Sequence, residues 1–242
     1  MSTYRDVGVV LRTQKLGEAD RIVTILTRGR GVIRTVAKGV RKTSSRLGAR
    51  VEPFMHIEFQ CAVGRTLDII TQVETLNAFT RDMADDYAAY TAGTAMLETA
   101  ERIVADTQEP SVQQYQLLVG ALAALAERRQ SPAVLLDSFQ LRSLAIAGYA
   151  PNFTHCAQCG NDENCRYFHI ASGGILCDQC RVPGASVPGD STIALLGALL
   201  AGDWAAVEAS DERTRKSAGG IVAAYLSWHL ERSLRSLAHV DR

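Results

Sequence analysis

The spacing of apolar residues changes near residue 80, and this change constrains the fold of the 242-residue chain more than any other feature. Before it, apolar and polar side chains alternate in short runs, as expected of strands that bury one face. The runs cover residues 7–13, 21–27, 32–38, 55–63 and 67–73. Five short strands within about 70 residues predict a small, closed or nearly closed barrel of the five-stranded OB type.

The alternation over residues 55–63 is the clearest and predicts which side chains point into the barrel. His56, Glu58 and Gln60 stand between apolar neighbours, as on a strand with one buried face. The residues predicted to face inward are Met55, Ile57, Phe59, Cys61 and Val63, followed by Leu67, Ile69 and Val73 in the next run. Cys61 is therefore interpreted as a small core residue.

Beyond residue 80 the apolar residues recur at helical spacing. The first helix is predicted to be capped by Thr80, with Met83, Tyr87, Tyr90, Leu97 and Val104 at that spacing. A second helix is predicted over residues 111–129, and a third from Ser131 and Pro132 to Gly148. Residues 192–201, 204–209 and 211–239 are also predicted to be helical. The residues predicted to face inward on the last helix are Ile221, Tyr225, Trp228, Leu234 and Leu237.

These periods predict an α+β, multidomain chain, since 242 residues exceed what one core comfortably supports. The predicted boundaries place the OB-fold barrel at residues 1–79. An α-helical domain is predicted in two parts, residues 80–150 and 189–242, with a cysteine-rich module inserted between them at residues 151–188.

Two CxxC pairs, separated by 17 residues, dominate the inserted module. Each pair can aim two thiolates at one point, and two pairs complete the tetrahedron of sulfur that suits Zn²⁺. The predicted ligands of one zinc ion per chain are Cys156, Cys159, Cys177 and Cys180. Four thiolates leave no open coordination position, so the predicted role of the zinc is structural.

Other readings of these cysteines stay open at this point. A pair of disulfides, an iron–sulfur site or a former metal site that no longer binds an ion would use the same four residues. Cys165 lies in a polar loop and has no evident role. His155 and His169 are reserve ligands if a cysteine fails, with the alternative role of surface or packing residues. A disulfide is disfavoured because the chain lacks an apolar signal segment at its start and any run of about 20 apolar residues. The expected location is cytoplasmic, with no membrane partner.

Charge is sorted along the chain, although its formal net charge is zero. Residues 1–80 carry 13 basic and 7 acidic side chains, and residues 81–242 carry 13 and 19. Nine Arg or Lys residues and no carboxylate lie between Arg21 and Val51. Such a segment predicts a polyanionic partner, and nucleic acid is the first candidate. The alternative is a basic face that is solvated and binds no partner.

The candidate DNA-binding residues all belong to this segment. They are Arg34, Lys38, Arg41, Lys42 and Arg46, followed by Arg28, Arg30 and Arg50. Arg34 and Lys38 share strand parity with Val32 and Val36, which predicts that a buried face lies beside them. Arg41, Lys42 and Arg46 lie in a loop between Gly39 and Gly48. Arg28 and Arg30 flank a glycine turn and have the alternative role of solubilising charges.

Catalytic motifs are missing from the sequence. It contains no phosphate-binding loop, HExxH motif, GxSxG elbow or dinucleotide glycine fingerprint. Asp85 and Asp86 are adjacent on a predicted helix and cannot form a facing acid/base pair. A binding protein that is not an enzyme is the expectation.

Two sets of motifs, far apart in the chain, resemble the RecO family of bacterial recombination mediators. The first set is VVLRT at 9–13, GEADRIV at 17–23 and AKGVRK at 37–42. The second is GYAP at 148–151, CAQCG at 156–160 and GGILC at 173–177. The resemblance covers most of the chain and is weakest in the helices.

This resemblance implies an N-terminal OB fold, a helical domain and a zinc-stabilised insertion. It also implies binding of single- and double-stranded DNA, annealing of complementary strands, and, with RecR, loading of RecA onto strands coated by single-strand-binding protein in the RecF pathway. The implied partners are therefore DNA, RecR and the C-terminal tail of single-strand-binding protein, with RecA as an indirect partner. A cytoplasmic, nucleoid-associated repair protein is the resulting expectation.

Aromatic residues refine the expected mode of DNA binding. Residues 1–80 contain only Tyr4, Phe54, Phe59 and Phe79, so platforms for base stacking are scarce. We therefore predict that phosphate contacts dominate and leave base edges free to pair. Two alternative functions stay open. One is a zinc-ribbon RNA-binding or transcription accessory protein, and the other is a metal-dependent hydrolase of nucleic acid.

Overall fold

A computed structural model describes residues 2–43, 45, 47–107 and 110–230. Its first part is a closed barrel in which neighbouring strands follow the order β1-β2-β3-β5-β4. The strands are β1 (Thr3–Leu16), β2 (Asp20–Thr27), β3 (Gly31–Ala37), β4 (Met55–Ala62) and β5 (Asp68–Ala78). Strand β1 pairs antiparallel with both β2 and β4, and β3 meets β5 in parallel at Thr35 and Asp68. This order confirms the predicted OB-type barrel.

The barrel interior confirms most of the predicted inward-facing residues. Its buried apolar set includes Val10, Val23, Ile25, Met55, Ile57, Phe59, Cys61, Ile70 and Val73. Val63 was predicted wrongly, because it follows the end of β4 and is 49% exposed.

The predicted register of β5 is also wrong. Ile70 and Val73 are buried, whereas Leu67 and Ile69 are only partly so. A register shift places Gln60 opposite Gln72 but Cys61 opposite Ile70. Because such a β-bulge inserts one extra residue, the inward positions of β5 are three residues apart instead of two.

The elements described after the barrel are seven helices and one β-hairpin. The helices are α1 (Phe79–Met83), α2 (Tyr87–Thr107), α3 (Val112–Ala126), α4 (Pro132–Ile146), α5 (Asp190–Ala201), α6 (Trp204–Glu208) and α7 (Glu212–His229). The hairpin strands are β6 (Cys165–His169) and β7 (Gly174–Cys177). The predicted α+β architecture is confirmed. No helix of the described residues is long and apolar enough to cross a membrane.

The first predicted helix is divided in two. Thr80 does not cap it, because the Thr80 hydroxyl donates a hydrogen bond to the carbonyl of Pro53 at 2.9 Å. The Asp86 carboxylate instead accepts from the backbone N–H of Ala89, at the start of α2. Asp85 and Asp86 therefore lie between α1 and α2, not within one helix. Tyr87 is largely exposed on the first turn of α2.

The later helices follow the prediction except at the end of α7. Tyr225 is buried and Ile221 partly buried, but Trp228 is 59% exposed, so its predicted inward position is wrong. The inward face of α7 is set by Val222, Tyr225 and Leu226, and Trp228 falls on its flank. Leu234 and Leu237 lie outside the described residues.

The barrel and the helices share one hydrophobic core. Val9, Leu11 and Leu26, on the outer face of the barrel, pack with buried residues of α2, α3 and α4. Two polar links cross the same boundary. The His56 Nε2 atom is hydrogen-bonded to the Tyr115 hydroxyl at 2.7 Å, and Arg12 donates to both carboxylate oxygens of Glu101. Neighbouring helices therefore cover part of the barrel's outer surface.

The cysteine-rich module packs on helices α4, α5 and α7. Phe153, Phe168 and Ile175 join a core formed with α4, α5 and α7. The Phe168 ring lies 6.1 Å from the ring of Tyr225, whose hydroxyl donates to the carbonyl of Tyr149 at 3.3 Å. The stability of the module is thus coupled to that of the helices beneath it.

Candidate metal centre and nucleic-acid interface

Four cysteine sulfurs converge at one end of the β6–β7 hairpin. The sulfurs of Cys156, Cys159, Cys177 and Cys180 all lie within 4.8 Å of one another, and the Sγ atoms of Cys159 and Cys177 are 3.7 Å apart. A tetrahedral ion with Zn–S bonds of about 2.3 Å holds its sulfurs about 3.8 Å apart. The donor set and its spacing therefore fit one structural metal ion. The structure pairs none of the six cysteines in a disulfide.

Local turns of the backbone place these sulfurs. The Cys156 N–H donates to the carbonyl of Asn161 at 2.7 Å, and the Gly160 N–H returns to the carbonyl of Cys156 at 2.9 Å. Gly160 has φ +76°, a conformation that favours glycine. The Cys180 N–H closes the second turn onto the carbonyl of Cys177 at 3.1 Å. The CxxC spacing thus folds into two turns that aim all four thiols at one point.

The ionisation of the cysteines also suits a cation. Burial alone would raise the pKa of Cys156, but backbone N–H groups of Cys177, Cys159 and Gln158 outweigh it and lower that pKa to about 6. A hydrogen bond with Cys159 instead raises the pKa of Cys180 to about 12. The first thiolate forms readily, and further thiolates beside it need a positive charge. A divalent ion held by the four sulfurs would supply that charge.

Cys165 and the two reserve ligands, His155 and His169, lie outside the sulfur cluster. The Cys165 thiol donates to the carbonyl of Asn161 at 3.1 Å. The Nδ1 atoms of His155 and His169 are hydrogen-bonded to Thr154 and Ser172. Among the described residues, none of the three joins the converging group.

A glycine fixes the module against the chain that enters it. Gly174 has φ +156°, and a Cβ atom there would lie 2.4 Å from the carbonyl oxygen of Asn152. Beside this contact the Ile175 N–H donates to the carbonyl of Asn152 at 2.9 Å, and the Asn152 N–H donates to the carbonyl of Gly173 at 2.9 Å. Only glycine allows this close approach, which holds the hairpin next to Phe153.

The eight basic candidates divide by what their side chains contact. Arg30 lies over the Tyr4 ring, Arg41 donates to the carbonyls of Gly17 and Glu18, and Arg50 donates to the carbonyl of Val73. These three guanidinium groups stabilise the barrel itself. Arg46 lies outside the described residues.

Four other candidates are exposed and turned to solvent: Arg28, Arg34, Lys38 and Lys42. Within the described ranges, no side-chain hydrogen bond or ion pair involves any of them. The prediction that a buried face lies beside Arg34 is confirmed. Val32 and Val36 lie on the same face of β3 and are partly or fully buried, whereas Arg34 itself is exposed. Arg34, Lys38 and Lys42 follow one another along the end of β3 and the loop after it. They form the most available cationic surface of the candidate set.

One further exposed cation was missed by the sequence reasoning. Arg65 lies in the loop between β4 and β5, one of the loops that OB folds use to bind oligonucleotides. The loop enters β5 beside Thr35, the neighbour of Arg34. Arg65 was overlooked because it lies beyond the acid-free segment, and only the β3–β5 pairing brings its loop next to β3.

The aromatic residues of the barrel offer little for base stacking. Phe54, Phe59 and Phe79 are 1%, 2% and 5% exposed. Tyr4 donates to Asp68 at 2.7 Å and carries the Arg30 guanidinium on its ring face. The described barrel therefore presents exposed cations without a free aromatic platform beside them.

Comparison with known proteins gives full-length relatives. Residues 1–79 match the family model described as "Recombination protein O N terminal", and residues 84–238 match "Recombination protein O C terminal". The chain is 59% identical over 242 residues to a DNA repair protein RecO from Nocardioides sp., covering 99% of both chains. It is 54% identical over 248 residues to the DNA repair protein RecO of Streptomyces griseus, and 53% identical over 242 residues to that of Thermobifida fusca, covering all of both chains in each case.

Proposed function

The chain belongs to the RecO family of DNA repair proteins, and on this basis we propose that its barrel binds single- and double-stranded DNA without sequence preference. The observation that carries the proposal is the exposed row Arg34, Lys38 and Lys42, whose charges are not used inside the described fold. Phosphates are the partners that such cations select, and phosphates carry no sequence information.

The proposed activity is annealing of complementary strands. Cations that neutralise the phosphates reduce the repulsion between two strands. Because Phe54, Phe59 and Phe79 are buried, the barrel does not hold bases by stacking on these rings, and base edges remain free to pair. The protein would then act as a mediator and not as an enzyme. We extend the proposal to cooperation with RecR and to the loading of RecA, which the family resemblance implies.

Annealing of two complementary fluorescent oligonucleotides tests this function. We expect the purified protein to accelerate annealing at about 0.1 M salt, with and without single-strand-binding protein on the strands. Non-complementary strands of equal length serve as the control and should not pair. Binding without any acceleration of annealing would contradict the proposed activity, and strand cleavage would point to the rival nucleic-acid hydrolase.

The metal in this proposal is a structural Zn²⁺ held by the four cysteine sulfurs. Four thiolates leave no position for water or substrate, so the ion would supply cohesion to the module and no catalysis. The module carries a small local core of Cys156, Leu176 and Cys177, and a bound ion is the usual source of stability for so small a unit.

A groove between α3 and α4 fits the proposed contact with single-strand-binding protein. The tail of that partner is acidic and apolar, so its site needs an apolar slot with a basic rim. The groove has a volume of about 400 Å³. Its apolar lining includes Leu117, Gly120, Ala121, Ala124, Leu135, Phe139 and Trp204, and its polar lining consists of Gln116, Gln130, Ser138, Arg129 and Arg142.

The two arginines of this groove differ. Arg129 donates to the Glu127 carboxylate at 2.6 Å, which leaves it partly neutralised. Arg142 is half-buried and makes no hydrogen bond or ion pair with other described residues. A half-buried guanidinium beside an apolar slot favours a ligand that ends in a carboxylate. We propose that Arg142 anchors the tail of single-strand-binding protein while the apolar lining receives its hydrophobic side chains.

Two substitutions test this groove with a labelled peptide of that tail. Arg142→Gln should weaken peptide binding about 10-fold, the loss expected of one charge-assisted hydrogen-bonded contact. Gly120→Leu should abolish binding, because a Cβ atom at Gly120 meets no heavy atom within 4 Å and a leucine side chain there would extend into the groove that Gly120 lines. Arg213→Gln, an exposed position on α7, is the matched charge control. Unchanged affinity in both groove variants would place the tail elsewhere.

A further inference from the structure

Three residues form a row across the outer face of the barrel. Arg12 on β1 pairs with Thr24 on β2, and Thr24 pairs with Arg34 on β3. Residues directly opposite one another on neighbouring strands point to the same face, with Cβ atoms about 5 Å apart. Two guanidinium-bearing residues therefore flank one hydroxyl, and one of them is Arg34 of the proposed DNA-binding surface.

Arg12 already holds an oxyanion. Its Nε atom donates to both carboxylate oxygens of Glu101 on α2, at 2.8 and 2.9 Å. The side chains are 38% and 23% exposed, so the pair is open to solvent on one side. Carboxylate and phosphate oxygens suit the same guanidinium geometry. Glu101 thus takes the place at Arg12 that a phosphate oxygen would take.

The hydroxyl in the middle of the row is unsatisfied. Thr24 is 1% exposed, and its Oγ1 atom has no hydrogen-bond partner within the described part of the chain. A buried hydroxyl without a partner is destabilising, because the loss of its hydration is not compensated by a hydrogen bond. A spare polar atom at this position is one that an anion bridging Arg12 and Arg34 could use once Glu101 withdraws.

We propose that Arg12 and Arg34 form a subsite for a phosphate of single-stranded DNA, and that Glu101 occupies it in the DNA-free protein. The inference rests on the proposed DNA binding. In the complex, a phosphate replaces Glu101 at Arg12, with Thr24 as the polar neighbour between the two arginines. Because Arg12 and Glu101 link the barrel to α2, DNA binding at this subsite would release one of the links between the barrel and the helices.

A double-mutant cycle on the DNA affinity tests the subsite. Glu101→Gln removes the competing charge and keeps the side-chain shape, and should raise affinity for a fluorescent single-stranded oligonucleotide about fivefold at about 0.1 M salt, the gain of one phosphate contact. Arg12→Gln should remove that gain, so the double variant should bind like Arg12→Gln alone. Thermal unfolding of each variant confirms that folded proteins are compared.

Glu98→Gln is the matched control. Glu98 lies one turn away on α2 and accepts from Arg102 at 2.7 Å, so the variant removes the same charge from the same helix. Its expected gain is less than twofold. Equal gains from Glu98→Gln and Glu101→Gln, or a gain from Glu101→Gln that survives in the Arg12→Gln protein, would overturn the subsite. Failure of the unaltered protein to bind the oligonucleotide would instead overturn the proposed DNA binding.

Discussion

Replacement of Arg34, Lys38 and Lys42 together by glutamine is expected to weaken binding of single-stranded DNA about 100-fold at about 0.1 M salt. Each phosphate contact on a single strand contributes about 0.7 to the slope of log affinity against log salt. The loss of three contacts therefore lowers the slope by about 2. Over the tenfold range from 1 M down to 0.1 M salt, the variant gains about 100-fold less affinity than the unaltered protein. Because all three side chains are exposed and lack partners in the described fold, thermal stability should stay nearly unchanged.

The matched control for this triple variant changes the same charge on another surface. Arg181, Arg213 and Lys216 are exposed residues of the module and of α7. Their joint replacement by glutamine should alter affinity less than threefold, since charges beyond about 8 Å are screened at physiological salt. Fluorescence anisotropy with several unrelated oligonucleotides measures both variants. Equal losses in the two variants would mean that net charge, not this surface, governs binding. Losses that depend on sequence would indicate base readout.

Cys177→Ser is expected to abolish stoichiometric zinc binding and to destabilise the module and the helices beneath it. Structural zinc sites contribute on the order of 10 kcal/mol to the folding of small units. Phe168 and Ile175 share a core with α4, α5 and α7, so the loss should spread beyond the module. A loss of about 3 kcal/mol or more would lower the melting temperature by about 6–12 °C in a chain of this size. Metal analysis and thermal unfolding measure the two effects.

Cys165→Ser provides the control for this variant. It makes the same chemical change at a thiol that lies beside the sulfur cluster but outside it. We expect one zinc ion per chain and a change in stability below about 1 kcal/mol. Treatment of the unaltered protein with a chelator should reproduce the Cys177→Ser result. Full zinc occupancy in Cys177→Ser would show that the four sulfurs are not the metal ligands.

The sequence predicted those features that depend on local patterns. Alternation over residues 55–63 was enough to place Phe59 and Cys61 in the barrel, because strand periodicity is local. The CxxC spacing was enough to bring four sulfurs together, since each pair closes its own turn. The β-bulge of β5 was not predictable in this way, because it arises from the pairing of Gln60 and Cys61 with another strand.

The roles of individual cations depended on contacts that the sequence does not reveal. Arg41 and Lys42 are exposed neighbours in the same basic loop, yet the Arg41 guanidinium donates to the carbonyls of Gly17 and Glu18, whereas the Lys42 side chain makes no hydrogen bond within the described residues. The β1–β2 turn that supplies these carbonyls lies more than 20 residues earlier. Likewise, Arg142 could not be assigned to a groove before α3, α4 and Trp204 were seen to enclose one.

The salt dependence of DNA binding tests phosphate-led recognition most directly. We predict that log affinity of the unaltered protein for single-stranded DNA falls with log salt at a slope of about −3 to −4, as four to six phosphate contacts require. The Arg34, Lys38 and Lys42 triple variant should reduce the magnitude of that slope by about 2. A slope shallower than about −1 for the unaltered protein, or the same steep slope in the triple variant, would contradict the account.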